Sequence, residues 1–290
     1  MKGIILVNAY AKNKSQISQA QRICAELKNL GENVDIVKNT GIGEIACGKT
    51  VAYNCDYCVF LDKDKAAARI LEKSGVKLFN RAKAIENCDD KMLTHIELAN
   101  NGIPMPHTLY APLCYTRDSE ISQEFLNSVE KKLGFPLIAK KCYGSLGSGV
   151  YMISDAEQLR DFEESNKLTE HLYQQFIGNG TGEDLRVIVI GGKFVCAMKR
   201  INCGDFRSNI ELGGHGEKYS PDKSVIKLAE KVADVLQLDY CGIDVLFNSD
   251  GSPTVCEVNS NAFFAEAEKI CGVNIAETFA KHIVKQIKNI

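Results

Sequence analysis

At 290 residues, with 45% hydrophobic and 25% charged positions, the chain can bury a substantial core, which excludes a mostly disordered protein. Lys plus Arg number 35 against 37 Asp plus Glu, a formal charge of −2, so no global basic field drives binding to nucleic acid or an anionic membrane. No run approaches the ~18 apolar residues of a membrane span, and the expected location is the cytoplasm.

Ile4-Ile5-Leu6-Val7 is too short for a secretory apolar region and reads as a first core strand. A helix follows over 15–30, stopped by Gly31, then strands over 34–37 and 57–61, a helix over 63–73 closed by Ser74-Gly75, and a strand over 76–79. This βαβ rhythm predicts a small, mainly parallel sheet with helices on its faces. Next come a helix over 91–100, Pro104 and Pro106, a strand over 137–140, a glycine-rich loop and a strand over 150–153. Strands over 186–190 and 194–199, a helix over 223–236, two further strands and a helix over 275–288 complete the chain.

Twelve cysteines scattered through apolar segments suit reduced, buried thiols. Only Cys55 and Cys58 have C-x-x-C spacing, and without a second pair they make a poor metal or redox motif. Gly43-Glu44-Ile45-Ala46-Cys47-Gly48-Lys49-Thr50 fits G-x-x-x-x-G-K-[ST]. A phosphate loop of that kind must open a helix whose N–H groups hold the phosphate. Here the next strand follows too soon for a helix, and residues 44–53 predict a hairpin with its turn at Gly48-Lys49.

The strongest chemical signal is Gly242-Ile243-Asp244 with Glu257-Val258-Asn259. A two-residue turn at Asp250-Gly251 sets Asp244 opposite Glu257, with Asn259 on the same strand face. Facing carboxylates repel unless a cation lies between them, and an all-oxygen set suits Mg²⁺. The alternative is an ordinary polar hairpin face, and a longer turn would change the register. Lys140 ends the strand over 137–140 and precedes Gly144-Ser145-Leu146-Gly147-Ser148-Gly149, a loop able to close backbone N–H groups over phosphates. Lys91 offers a second phosphate lysine or a solvated helix residue. Lys199-Arg200 and Gly204-Asp205-Phe206-Arg207-Ser208-Asn209 add cations suited to carboxylate or phosphate, or a solvated basic loop.

These segments, with Gly182-Glu183-Asp184-Leu185-Arg186, resemble the ATP-grasp superfamily, and within it the RimK-like carboxylate–amine ligases, over essentially the whole chain. The resemblance implies an α/β (α+β) ATP-grasp fold after a small Rossmann-like domain, with domains over 1–88, 89–175 and 176–290. By that resemblance Lys91 and Lys140 contact ATP phosphates beneath a flap containing Gly144, Ser145, Gly147 and Ser148. Gln174, Gln175, Phe176 and Ile177 form the adenine hinge, Asp184 holds the ribose, and Arg207, Ser208 and Asn209 face the transferred phosphoryl group. Asp244, Glu257 and Asn259 bind two Mg²⁺ ions, for which Mn²⁺ can substitute.

Arg186 and Arg200 are expected to hold the acceptor carboxylate and the phosphoryl group, and His215 is either a base or a solvated loop residue. The expected reaction is ATP-dependent amide formation between a carboxylate and an amine, through an acyl phosphate, in a homodimer or homotetramer. The alternatives are a D-amino-acid or peptide ligase, or an ATP-binding module without ligase activity. Two departures stand out: Gln175 where the family often has Glu, and Ser260-Asn261-Ala262-Phe263-Phe264 where it usually has Ala-Ser-Pro-Gly. The second departure lies near the acceptor site in the family and leaves the substrate open.

Overall fold

The computed structural model describes residues 1–12 and 14–288. Its first layer contains β1 (Lys2–Val7), α1 (Lys14–Asn29), β2 (Asn33–Lys38), β3 (Gly43–Ala46), β4 (Lys49–Ala52), β5 (Tyr57–Phe60), α2 (Lys65–Lys73), β6 (Lys77–Phe79) and α3 (Ala82–Asp89). Almost every residue of β1 and β5 is buried, the pattern of parallel strands covered on both faces. The sheet order β2-β1-β5-β6 is parallel throughout. Helix α2 starts two residues later than expected because the Asp64 side chain caps it, accepting from the Ala67 N–H.

Strands β3 and β4 pair Ala46 with Lys49, so the turn is Cys47-Gly48, one residue earlier than expected. Both turn residues have positive φ, 49° and 76°, as a two-residue I′ turn requires. Thr50 lies in β4 and opens no helix, which removes the phosphate-loop reading.

The second layer comprises α4 (Lys91–Leu98), β7 (Thr108–Tyr110), α5 (Gln123–Leu133), β8 (Leu137–Lys141), β9 (Val150–Ile153), α6 (Ala156–Asn166) and β10 (His171–Gln175). Its antiparallel sheet has the order β7-β10-β8-β9. Helices α5 and α6 go beyond the expected elements; Ser122 and Asp155 cap them through the Phe125 and Gln158 N–H groups.

The third layer contains β11 (Glu183–Ile190), β12 (Lys193–Ile201), β13 (His215–Tyr219), α7 (Lys223–Val235), β14 (Tyr240–Phe247), β15 (Pro253–Asn259), α8 (Ala265–Cys271) and α9 (Ile275–Ile287). Its five strands run antiparallel in the order β13-β12-β11-β14-β15. Ile5, Val59, Leu27 of α1, Ile188, Met198 and Phe279 of α9 share one apolar cluster, so α1 and α9 join the first sheet to the third. Burying each large apolar side chain contributes about 1.5–3 kcal/mol. No helix among the described residues is long and apolar enough to cross a membrane.

Asn80, only 2% exposed, pins the first layer to the third. Its amide donates to the Tyr240 and Ser260 carbonyls at 2.8 Å each, and its oxygen accepts from the Asp239 and Tyr240 N–H groups at 2.6 and 3.1 Å. Asn80→Ala leaves these buried backbone groups unpaired. The expected cost is about 3 kcal/mol, a fall in Tm of roughly 6–10 °C, readable by thermal unfolding followed by circular dichroism.

Candidate active site

A cleft lies between the second and third sheets, roofed by residues 142–149. Lys140, on β8, is 7% exposed. Its ammonium donates to Gln174 Oε1 at 2.7 Å and lies 3.5 Å from Cys256 Sγ. Among the described residues no carboxylate pairs with it. The Gln174 amide nitrogen donates to Thr108 Oγ1 at 2.9 Å and approaches His95 Nε2 at 3.1 Å, which turns its oxygen toward Lys140. Burial and the Lys140 charge push the His95 pKa from 6.5 down to about 3, so the ring is neutral and can accept from Gln174. A buried ammonium held only by neutral groups is a receptor for an anion.

Lys91 occupies the first turn of α4, where a cation opposes the helix dipole; Asp90 caps that turn through the Met92 and Leu93 N–H groups at 2.8 and 3.1 Å. The Lys91 ammonium donates to the Gly144 carbonyl at 3.0 Å and lies 3.8 Å from Glu257 Oε1. Arg207 donates through Nη1 to the Gly147 carbonyl at 3.0 Å, while its Nε and Nη2 bind Asp205 at 3.0 and 2.6 Å. The two cations expected at phosphate thus hold the flap by its carbonyls. A Cβ on Gly147, whose φ is +75°, would lie 2.9 Å from Asn209 Oδ1, so only glycine lets the flap approach this closely. Gln175, Phe176, Ser145, Ser148, Ser208 and Asn209 also line the cleft.

The floor carries a row of charges set by register. Asp184 and Arg186 share one face of β11. Asp184 pairs across the strands with Arg200, and Arg186 with Asp244. Arg186 binds both Asp244 oxygens through Nε and Nη2, Arg200 grips Asp184 through Nε and Nη2, and Arg200 Nη2 lies 2.9 Å from Asp244 Oδ2. Burial opposes charge on Asp244, but Arg186 and Arg200 outweigh it and hold its pKa below the usual carboxylate range. Burial likewise works against the Arg200 charge, and Asp244 and Asp184 outweigh it. Of the residues expected to face ligands, Arg186 is therefore engaged by Asp244, and Arg200 and Asp184 by each other.

Asp244 stands opposite Glu257, and Gly242 opposite Asn259, as expected, but by a different route. The Asn248 N–H donates to the Ser252 carbonyl at 2.9 Å and Phe247 pairs with Pro253, so the turn is longer than two residues. A bulge at Cys256 shifts the register back by one. No group of three or more His, Cys, Asp and Glu side chains is arranged for a metal among the described residues. Asp244, Glu257 and Asn259 nonetheless fit Mg²⁺ in donor chemistry, since all three offer oxygen. The Glu257 carboxylate has only Lys91 as a distant charge partner, and Asp244 already sits in a position that holds cations.

His215 lies on edge strand β13, not in a loop; its side chain is 60% exposed and 3.6 Å from Glu217. All twelve cysteines are free thiols. Burial pushes Cys55 up to about 11 and Cys58 well above its usual value, which suits inert thiols rather than a thiolate site. Gln174, expected in an adenine hinge that uses mainly backbone groups, buries its side chain against Lys140. Cys256 and His95 carry no sequence signal, because a bulge and a helix packed beneath the site bring them in.

A second cavity adjoins the first, bounded by the first layer, the flap and the segment after β15, and sharing Ser145, Arg200, Asn209 and Glu257 with it. A nucleotide-sized cleft and an adjoining chamber that meet at cations and oxygen donors suit phosphoryl transfer between two ligands.

Residues 88–283 match the RimK-like ATP-grasp domain family. An uncharacterized Mycoplasma pneumoniae protein, the MG012 homolog, is 33% identical over 92% of this chain and 94% of its own length. Human N-acetylaspartylglutamate synthase A is 34% identical over 79% of this chain, which spans 57% of that protein's length. The RimK-domain ATP-grasp protein of Sphaerobacter thermophilus shares the fold, with a TM-score of 0.74, 19% identity and coverage of 97% of this chain and 99% of that one. The chain belongs to the RimK-like ATP-grasp family, a class of ATP-dependent carboxylate–amine ligases.

The neutral state of His95 has a measurable signature. Unfolded His95 titrates near 6.5 and the folded residue near 3, so between these values only the unfolded chain takes the proton. Its contribution to stability is intact above pH 6.5 and is lost as the pH falls below it. Between pH 7 and pH 5 the loss is about 2 kcal/mol. Urea unfolding at the two pH values should show His95→Gln losing less stability than wild type by about that amount.

Proposed function

We propose that the protein joins a carboxylic acid to the amino group of an amino acid through an acyl phosphate, consuming ATP and releasing ADP and phosphate. The observation that carries this reading is Lys140, a buried ammonium with no carboxylate partner among the described residues, in a cleft that Asp244 and Glu257 also line. Such a cation asks for phosphate, and Arg207, Ser208 and Asn209 across the cleft are suited to the transferred group.

In the first step an acceptor carboxylate oxygen attacks the γ-phosphorus and the bond to the β-phosphate oxygen breaks, giving ADP and a mixed anhydride. In the second step the amine attacks the acyl carbon, phosphate leaves, and the nitrogen gives up its proton. The anhydride is needed because a bare carboxylate has no leaving group that departs readily. Lys91, Lys140 and Arg207 stabilise negative charge on the phosphates, Gln175 and Phe176 border the base, and Asp184 offers its carboxylate to the ribose. Asp244, Glu257 and Asn259 are the residues suited to Mg²⁺, as one ion or two, with Mn²⁺ a fitting substitute by the same oxygen chemistry. When bound, the ion supplies Lewis-acid neutralisation of phosphate charge.

The flap contacts of Lys91 and Arg207 support its role as a cover that keeps water from the anhydride. The name of the human relative, a synthase of an aspartylglutamate, supports an amino acid as one partner. The test is ADP release from Mg-ATP with pooled amino acids and a cell-extract acceptor fraction. Wild type should need the pools, Glu257→Ala should lose at least 100-fold, and Lys49→Ala should match wild type. Retained turnover in Glu257→Ala would overturn the metal assignment.

A further inference from the structure

The second cavity contains six charged side chains: Asp62, Lys63, Arg186, Arg200, Glu257 and Glu266. Five of them have opposite-charge partners: Lys63 with Asp89 at 2.9 Å, Arg186 with Asp244, Arg200 with Asp184 and Asp244, Glu257 with Lys91 at 3.8 Å and Glu266 with Lys269 at 3.9 Å. Asp62, only 9% exposed, is the exception among the described residues. Its carboxylate accepts from the Lys63 N–H at 2.7 Å, from Asn8 Nδ2 at 3.3 and 3.0 Å, and from Asn39 Nδ2 at 3.1 Å, and no cation reaches it.

This arrangement is built by the topology. Asn8, Asn39 and Asp62 follow the carboxyl ends of β1, β2 and β5, three adjacent parallel strands, and this end of an open α/β sheet is where ligands bind. The two amides cannot turn: Asn8 Oδ1 accepts from the Tyr10 N–H and Asn39 Oδ1 from the Ala9 N–H, each at 2.8 Å, so both nitrogens face Asp62, that of Asn39 donating to Asp64 Oδ2 as well at 3.1 Å. The four contacts to the carboxylate come from three donors, all of them neutral, the Asn8 amide being shared between both oxygens, so the negative charge is unmatched. Burial pushes the Asp62 pKa up, the Lys63 and Asn8 donors work against it, and the nearby Asp64 charge adds to the rise.

We propose that Asp62 is the ammonium subsite of the second cavity, which takes an amino-acid substrate by its charged amino group, on the side of the acyl donor away from the nucleotide. This rests on the ligase reading and adds the residue that reads the amine. It makes a free, charged amino group obligatory, so an N-acylated amino acid of the same side chain is excluded.

Saturation-transfer NMR on a mixture of the twenty L-amino acids, with wild type and Mg-ADP, tests this directly. At least one amino acid should bind, its N-acetyl form should bind at least tenfold more weakly, and Asp62→Asn should lose the signal by a similar factor while keeping its ADP affinity. Equal binding of the N-acetyl form, undiminished binding by Asp62→Asn, or no amino acid binding to wild type overturns the subsite. The wild-type comparison of free and acetylated forms needs no variant, so it decides the matter even if Asp62→Asn folds poorly. Amino-acid binding that depends on Asp62, without pool-dependent ADP release, would leave the subsite standing and sink the ligase reading.

Discussion

The site depends on a buried set of four charges on one face of the third sheet. Asp184, Arg186, Arg200 and Asp244 lie on three neighbouring strands and neutralise one another through paired, two-point contacts. Such a set adds little net stability, because taking four charges out of water costs about as much as their attraction returns. What it provides is orientation: each guanidinium and each carboxylate has its direction fixed before any ligand arrives. Removing one member would strand its partner in a low-dielectric wall, so the row is held together as a unit.

Above that floor the other cations behave differently. Lys91 and Arg207 rest on flap carbonyls, and Lys140 rests on an amide oxygen. Lys91 also has Glu257 at 3.8 Å and Arg207 also binds Asp205, but the contact each makes to the flap, like that of Lys140 to Gln174, is to a neutral dipole, a weaker partner than a phosphate oxygen would be. Anion binding here is an exchange of partners rather than the filling of a void, and the flap is coupled to it because its own backbone supplies the partners exchanged.

Much of this was readable in the chain because the signals are local. The buried parallel strands appear as unbroken apolar runs, and Lys140 at a strand end before a glycine-rich loop marks itself. The pairing of Asp244 with Glu257 was anticipated through a two-residue turn, and it holds because two departures cancel: a longer turn moves the register by one and the bulge at Cys256 moves it back. Helix α6 leaves little trace in the sequence because Leu159 and Phe162 are its only large apolar residues. Asp62 carries no signal of its own, since nothing nearby announces that Asn8 and Asn39, 54 and 23 positions earlier, converge on it. Convergence of distant strand ends belongs to topology and leaves no periodic trace.

The bulge at Cys256 has a bearing on how the chain can vary. Strand side chains alternate faces, so inserting or deleting one residue between Asp244 and Glu257 would ordinarily turn the glutamate away from its partner. The irregularity lies between the tip at residues 248–252 and Glu257, where it absorbs the one-residue shift that the longer turn introduces. Turn length and bulge are thereby tied to each other: gaining or losing one tip residue keeps Glu257 opposite Asp244 only if the bulge changes with it, while the positions after Cys256 keep their spacing.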